Sequence, residues 1–195
     1  MRAFKTCELP QSEVSRLIFN LVVPRPIAWI TTLSEGGVVN LAPFSFYSAI
    51  TTKPPLLMVS IGKRRDGSLK DTLRNIKRSG EFVVNLVDES MLEKMHLSGK
   101  DFPPDVSEAQ ELGVELEPSI SVKPPRVKAS PASMECVVRE ILELGSTPMG
   151  VVIGEVVAFK FSPSLLESQR GIVGRLGGKR YCLIDCEIDL SHLNS

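Results

Sequence analysis

Histidine is nearly absent from this 195-residue chain, with only His96 and His192 present. Cysteine is scarce too: Cys7, Cys136, Cys182 and Cys186 are scattered, and no two form a C-x-x-C pair. Ligands so few and so far apart make no metal site of ordinary spacing. The same scarcity leaves no motif for Ser–His–Asp or Cys–His nucleophilic catalysis. Charge of one sign is also missing, since 23 Lys and Arg balance 23 Asp and Glu. That argues against a nucleic-acid or membrane-surface role driven by a global basic field. No apolar run approaches the ~20 residues of a membrane-spanning helix. The opening MRAFKTCELPQSEV has no hydrophobic signal region. The expectation is a cytoplasmic protein with no nucleic-acid or membrane partner. Its cysteines read as free thiols, Cys136 and Cys182 lying in apolar strand patterns. With metals and side-chain nucleophiles set aside, the chemistry must come from a bound cofactor.

What is present is strand-forming sequence. At 43% hydrophobic, the chain can build one compact domain over residues 1–195. Residues 28–33 are rich in Trp, Ile and Thr, which suit a pleated surface. Glu35, Gly36 and Gly37 supply a turn, and residues 38–41 return as the partner strand. Residues 56–61 and 81–87 read as further strands, and 134–144 and 151–161 as two long antiparallel strands joined across 145–150. Asp88 is placed to cap a short helix ending near Gly99, and Ser107 with Gln110 forms a capping-box pattern before Gly113. Prolines at 118, 124, 125 and 131 break up the stretch between them and the long strands. Residues 163–168 read as a short helix and 181–184 as a last strand. There is no regular βαβ alternation. The pattern predicts a mainly β fold, an antiparallel barrel with short peripheral helices rather than a doubly wound sheet.

Residues 24–75 carry the functional signal. After the hairpin comes Ala42-Pro43-Phe44-Ser45-Phe46-Tyr47-Ser48, in which Pro43 withholds a ladder N–H and Ser45 and Ser48 set hydroxyls between aromatics. Such a segment can lie along a planar ligand; the residues alone favour an irregular edge strand whose Phe44 and Phe46 pack inward. Lys63, Arg64, Arg65, Asp66 and Gly67 follow in a basic loop. Ser68 and Asp71 then match a capping box, Thr72 falls in the first turn, and Gly80 is placed as a C-cap. A helix that opens beside Lys63, Arg64 and Lys70 favours an anion such as a phosphate. The other reading is a solvated basic loop.

Taken together, PRPIAWITT, NLAPFSFYSAI, LLMVSIG and GSLKDTLRNI, with FVVNLV, SGKDFPP, KPPRV, MECVVREILELG, VVIGEVVAF and RLGGKRY in the same order, resemble the flavin reductase-like family of FMN-binding split barrels. That family includes flavoredoxins and the reductase components of two-component monooxygenases. The resemblance implies an antiparallel split β-barrel of Greek-key type with bound FMN. It would set Thr31, Thr32, Asn40, Ala42, Pro43, Phe44, Ser45 and Ser48 along the ring and ribityl chain. Ser60, Lys63, Arg64, Lys70, Asp71 and Thr72 would surround the phosphate. It also implies a C2 homodimer.

The glycine-rich run from Gly174 to Tyr181 lacks the strand-before, helix-after context of a dinucleotide fingerprint. In the family the matching loop approaches the flavin, which sets Arg175 and Tyr181 at the substrate side of the ring; a solvated turn is the alternative. His96 reads as a partly exposed structural histidine on a helix, with a place in the pocket as the alternative. Two functions fit. One is an enzyme that reduces free flavin or another small acceptor with NADH or NADPH through bound FMN. The other is a flavoredoxin-like electron carrier served by a redox partner protein.

Overall fold

The computed structural model describes residues 1–64, 66–145 and 149–190. Arg65, His192 and residues 146–148 of the turn expected across 145–150 lie outside the described residues.

Strand β1 (Ala28–Leu33) is buried along almost its whole length. Its side chains enter two different cores. Ala28 and Ile30 join Phe44, Val59, Ile61, Leu73, Ile76, Phe82 and Val152 on one side. Ile27 and Trp29 join Leu41, Met91, Met95, Val127 and Val173 on the other. A strand covered on both faces keeps no polar alternation, so its threonines need internal partners. Thr31 donates to the Pro125 carbonyl at 2.6 Å. The Trp29 indole donates to Ser98 Oγ at 2.9 Å, which ties β1 to a neighbouring helix.

Around β1 the chain builds a seven-stranded antiparallel sheet. The strands are β2 (Val39–Phe44), β3 (Tyr47–Thr52), β4 (Pro55–Ile61), β5 (Glu81–Asn85), β8 (Ala132–Leu144) and β9 (Met149–Phe161) besides β1. Their spatial order is β2-β1-β5-β8-β9-β4-β3. The outermost two, β2 and β3, are separated in sequence only by Ser45 and Phe46. Flat, seven strands would hold them about 29 Å apart at ~4.8 Å per strand, whereas three Cα steps reach only about 11 Å. The sheet must therefore curl. It rolls around the first core, and Ser60 donates its N–H to the Phe46 carbonyl at 2.8 Å near the join.

Short helices α1 (Gln11–Leu21), α2 (Asp71–Ser79), α3 (Leu92–Ser98), α4 (Glu108–Glu111) and α5 (Ser164–Glu167) lie outside the sheet. Two small ribbons complete the fold, β6 (Leu116–Glu117) with β7 (Arg126–Val127), and β10 (Val173–Arg175) with β11 (Tyr181–Leu183). The proline-rich wrap before β8 is anchored by the buried Glu135 carboxylate, which accepts N–H groups from Ile120 and Ser121 and pairs with Arg126.

Several expectations need correction. The fold is mainly β and antiparallel, as the sequence pattern predicts, but among the described residues no ladder joins β2 to β3, so the barrel is not closed by hydrogen bonds. The segment after Phe44 is not one irregular strand; it turns and returns as β3. Ser68 does not cap α2, because its N–H and hydroxyl both bond Asp66 Oδ1, at 2.9 and 2.6 Å. Lys70 stands at the cap position with no side-chain bond, and Gly80 ends the helix at φ 71°. Ser107 likewise makes no side-chain cap to α4. Of the four thiols, all free, only Cys136 is fully buried.

Candidate functional site

Two cavities meet at Pro43 and Gly99. The larger, about 340 Å3, is lined by Phe19, Ile27, Phe44, Ser45, Met95 and His96, and by Arg25, Arg175 and Tyr181. The smaller is lined by Asn40, Ala42, Arg64, Lys70, Asp71, Thr72, Lys100, Asp101 and Glu108. Pro43 and Gly99 border both, so the pair forms one trough with an aromatic end and a charged end. A Cβ on Gly99 would sit 3.2 Å from Pro43 Cγ, so any larger residue would press on the proline ring at this waist.

Arg25 organises the aromatic end. Its guanidinium donates to the carbonyls of Phe19 (2.9 Å), Val22 (2.6 Å) and Leu176 (3.0 Å), and to Ser45 Oγ at 3.3 Å. It also lies against the rings of Phe19 and Phe46, which stack with centroids 5.6 Å apart. Burial and the nearby Arg175 lower its pKa, yet it stays a cation in water. One buried side chain thus holds the end of α1, the segment after β2 and the loop after β10 in register. Opposite it, Arg175 lies over the Tyr181 ring at 4.5 Å and donates to the Tyr181 hydroxyl and the Gly178 carbonyl. Tyr181 Oη is 2.8 Å from His96 Nδ1. Burial raises the Tyr181 pKa, and Arg175 partly opposes that.

The charged end forms where α2 begins. The Asp71 carboxylate is clamped between Arg64 and Arg74. Lys70 leans over the Phe44 ring, its Nζ 5.6 Å from the centroid. Behind this surface the Glu108 carboxylate accepts from Leu41 N–H at 2.8 Å and from Asn40 Nδ2 at 2.6 Å. Burial raises the Glu108 pKa; the hydrogen bonds from Leu41 and Asn40 oppose that, and Asp71 adds to it.

The expected residues divide accordingly. Pro43, Phe44, Ser45, Arg175 and Tyr181 border the aromatic end, and Asn40, Ala42, Arg64, Lys70, Asp71 and Thr72 the charged end. Thr31 and Thr32 border neither cavity, being fully buried with Thr31 on Pro125 and Thr32 on Asn40. Ser48 is exposed on β3, Ser60 is the penultimate residue of β4, and Lys63 pairs with Leu69 outside both cavities. His96, for which the structural reading was favoured over a place in the pocket, is on the wall. Arg25, Phe19, Gly99, Lys100 and Glu108 were not among the expected site residues. A lone Arg between two prolines was the available signal for the first.

Residues 20–174 match the flavin reductase like domain. The chain belongs to the flavin reductase-like family. An uncharacterised relative from Aquifex aeolicus is 40% identical over 173 residues, covering 85% of this chain and 87% of that one. Among solved structures, nitrilotriacetate monooxygenase component B from Bacillus cereus superposes with a TM-score of 0.90 at 30% identity, covering 97% of this chain and 98% of that one. The 2-nitrobenzoate 2-nitroreductase of Pseudomonas fluorescens gives 0.86 at 34% identity, covering 97% and 95%.

Proposed function

We propose that this flavin reductase-like protein is an FMN-dependent oxidoreductase, which takes electrons from NADH or NADPH and delivers them to free flavin or another small acceptor. The observation that carries this reading is the trough itself: an aromatic-walled compartment of about 340 Å3 joined through Pro43 and Gly99 to a compartment with Arg64, Lys70 and Lys100. That order of shapes and charges fits a flat ring linked to a phosphate. Similarity to a monooxygenase component and to a nitroreductase supports a small-molecule acceptor.

Bound FMN would supply a ring that accepts a hydride, chemistry that protein side chains lack. The chain's own residues bind and orient. The segment Ala42 to Ser45 would offer backbone groups to the ring edge. Lys70, Arg64 and the free N–H groups of the first turn of α2 would hold the phosphate. Arg175, fixed by Tyr181 and Gly178, would place an anionic part of the second substrate, and His96 with Tyr181 would border the exposed ring face. A homodimer is part of the proposal. Exposed Val157, Phe159 and Phe161, alternate residues of β9, offer an apolar surface for it.

The test is an anaerobic spectral titration of the purified protein with FMN, then with NADH and NADPH. A yellow complex bleached by one nicotinamide is the expected result. A complex reduced only by dithionite would overturn the reductase reading in favour of a flavoredoxin-like carrier. Absence of flavin binding would overturn both.

A further inference from the structure

The charged end of the trough contains a hydrogen-bond chain whose direction is set by one carboxylate. Glu108 accepts from Leu41 N–H and from Asn40 Nδ2. A carboxylate in this role only accepts, so Asn40 turns its NH2 toward Glu108 and its oxygen toward α2. There Asn40 Oδ1 accepts the Thr72 hydroxyl at 2.6 Å and lies 3.3 Å from Thr32 Oγ1. Thr32 Oγ1 accepts in turn from Asn75 Nδ2 at 3.0 Å. Glu108, Asn40, Thr72, Thr32 and Asn75 are all buried, none more than 8% exposed.

A threonine hydroxyl has one proton. At Thr72 that proton is already given to Asn40, although Thr72 borders the compartment holding Arg64 and Lys70. A phosphate oxygen arriving there meets a lone pair unless it draws the proton away. The same wall carries the carboxylates of Glu108, Asp71 and Asp101 against the cations of Arg64, Lys70 and Lys100.

We propose that Glu108 is a positioning residue which, acting through Asn40, holds the Thr72 proton off the phosphate compartment and so keeps FMN exchangeable. This rests on the FMN reading above. An amide in place of the carboxylate reverses the chain. Its oxygen keeps the Leu41 N–H, while its NH2 donates to Asn40. Asn40 must then offer oxygen to that amide and NH2 to Thr72. The Thr72 oxygen becomes an acceptor, and its proton is released toward the phosphate.

The experiment compares dissociation constants for FMN and riboflavin, which differ only in the phosphate, by flavin fluorescence titration. The proteins are the parent, Glu108→Gln, Thr72→Val and the double variant. In Glu108→Gln, FMN binding should tighten roughly tenfold relative to riboflavin, the scale of one charge-assisted hydrogen bond. The gain should vanish in the double variant. Thr72→Val alone should change the FMN-to-riboflavin ratio by no more than about twofold, the scale of a weak hydrogen bond.

An unchanged or reduced ratio in Glu108→Gln would overturn the proposal. So would a gain that survives Thr72→Val, since removal of charge alone would then explain it. Should Glu108→Gln fail to fold, Thr72→Val decides, and a tenfold or larger loss of FMN preference there sinks the idea. A parent that binds FMN no better than riboflavin is a different result. It overturns the phosphate reading underneath, and the proposal falls with it.

Discussion

The two ends of the trough hold cations in opposite ways. At the aromatic end, no acidic residue among the described residues lines the cavity, and Arg25 and Arg175 spend their N–H groups on backbone carbonyls, hydroxyls and rings. At the charged end, cations and carboxylates face one another, and Asp71 sits between Arg64 and Arg74. The first arrangement leaves positive charge unneutralised in a partly dry pocket, where it is felt strongly by a ligand. The second offers directional donors with little net field. Net charge should therefore weigh more in recognition at the first end and individual hydrogen bonds at the second.

The largest way to break this comparison is at the waist. Gly99→Ala brings a Cβ to 3.2 Å from the rigid Pro43 ring. Overpacking of this kind costs about 1–3 kcal/mol of folding stability, so the thermal midpoint should fall, and FMN and riboflavin, which share the waist, should both bind more weakly by the same factor in fluorescence titrations. Lys70→Ala should separate the ends. FMN affinity should fall about tenfold, as expected for loss of a hydrogen bond to a charged group, while riboflavin affinity stays put. Equal losses for both flavins would place Lys70 at the ring instead.

Arg175→Ala probes the opposite end. The KM for the nicotinamide should rise several-fold, roughly the worth of one exposed ionic contact, with the FMN dissociation constant unmoved. A changed FMN constant with unchanged KM would contradict the placement of Arg175 on the substrate side. The smallest effect is on stability. The folded-state pKa of Glu108 lies above its ordinary value because of burial. A raised carboxyl pKa contributes stability below the unfolded value, ~4.3, and that contribution is lost as pH rises through the folded value. Glu108→Gln should therefore gain on the parent in thermal midpoint as pH rises from about 4 toward 7, in paired melts. A difference between the two proteins that does not vary with pH would contradict this.

How far the sequence reveals this site depends on the range of the interactions. Strand β1, the long pair β8 and β9, and Gly80 as the end of α2 were legible, because periodicity and turn chemistry are local. The start of α2 was misread. Ser68 has the chemistry of a cap, but Asp66 two residues earlier competes for its hydroxyl. Lys70 and Arg64 were legible as neighbours of a helix start. Arg25 and Glu108 were not, since Arg25 joins near partners to Leu176, 151 residues away, and Glu108 binds Asn40, 68 residues away. Thr31 and Thr32, carried into the site by resemblance, stand in buried hydrogen-bond networks behind the trough wall.

The two-residue link between β2 and β3 has a consequence for how this chain can change length. Ser45 and Phe46 clasp the two margins of the rolled sheet, and Ser45 also walls the aromatic cavity. An added residue there would loosen the roll and shift the cavity wall in a single event. The hairpin tip at Glu35 to Gly37 is exposed and has no such second duty. Insertions should accumulate at that tip and be purged from the clasp, so a library of single-residue insertions screened for yellow colour would trace the outline of the pocket.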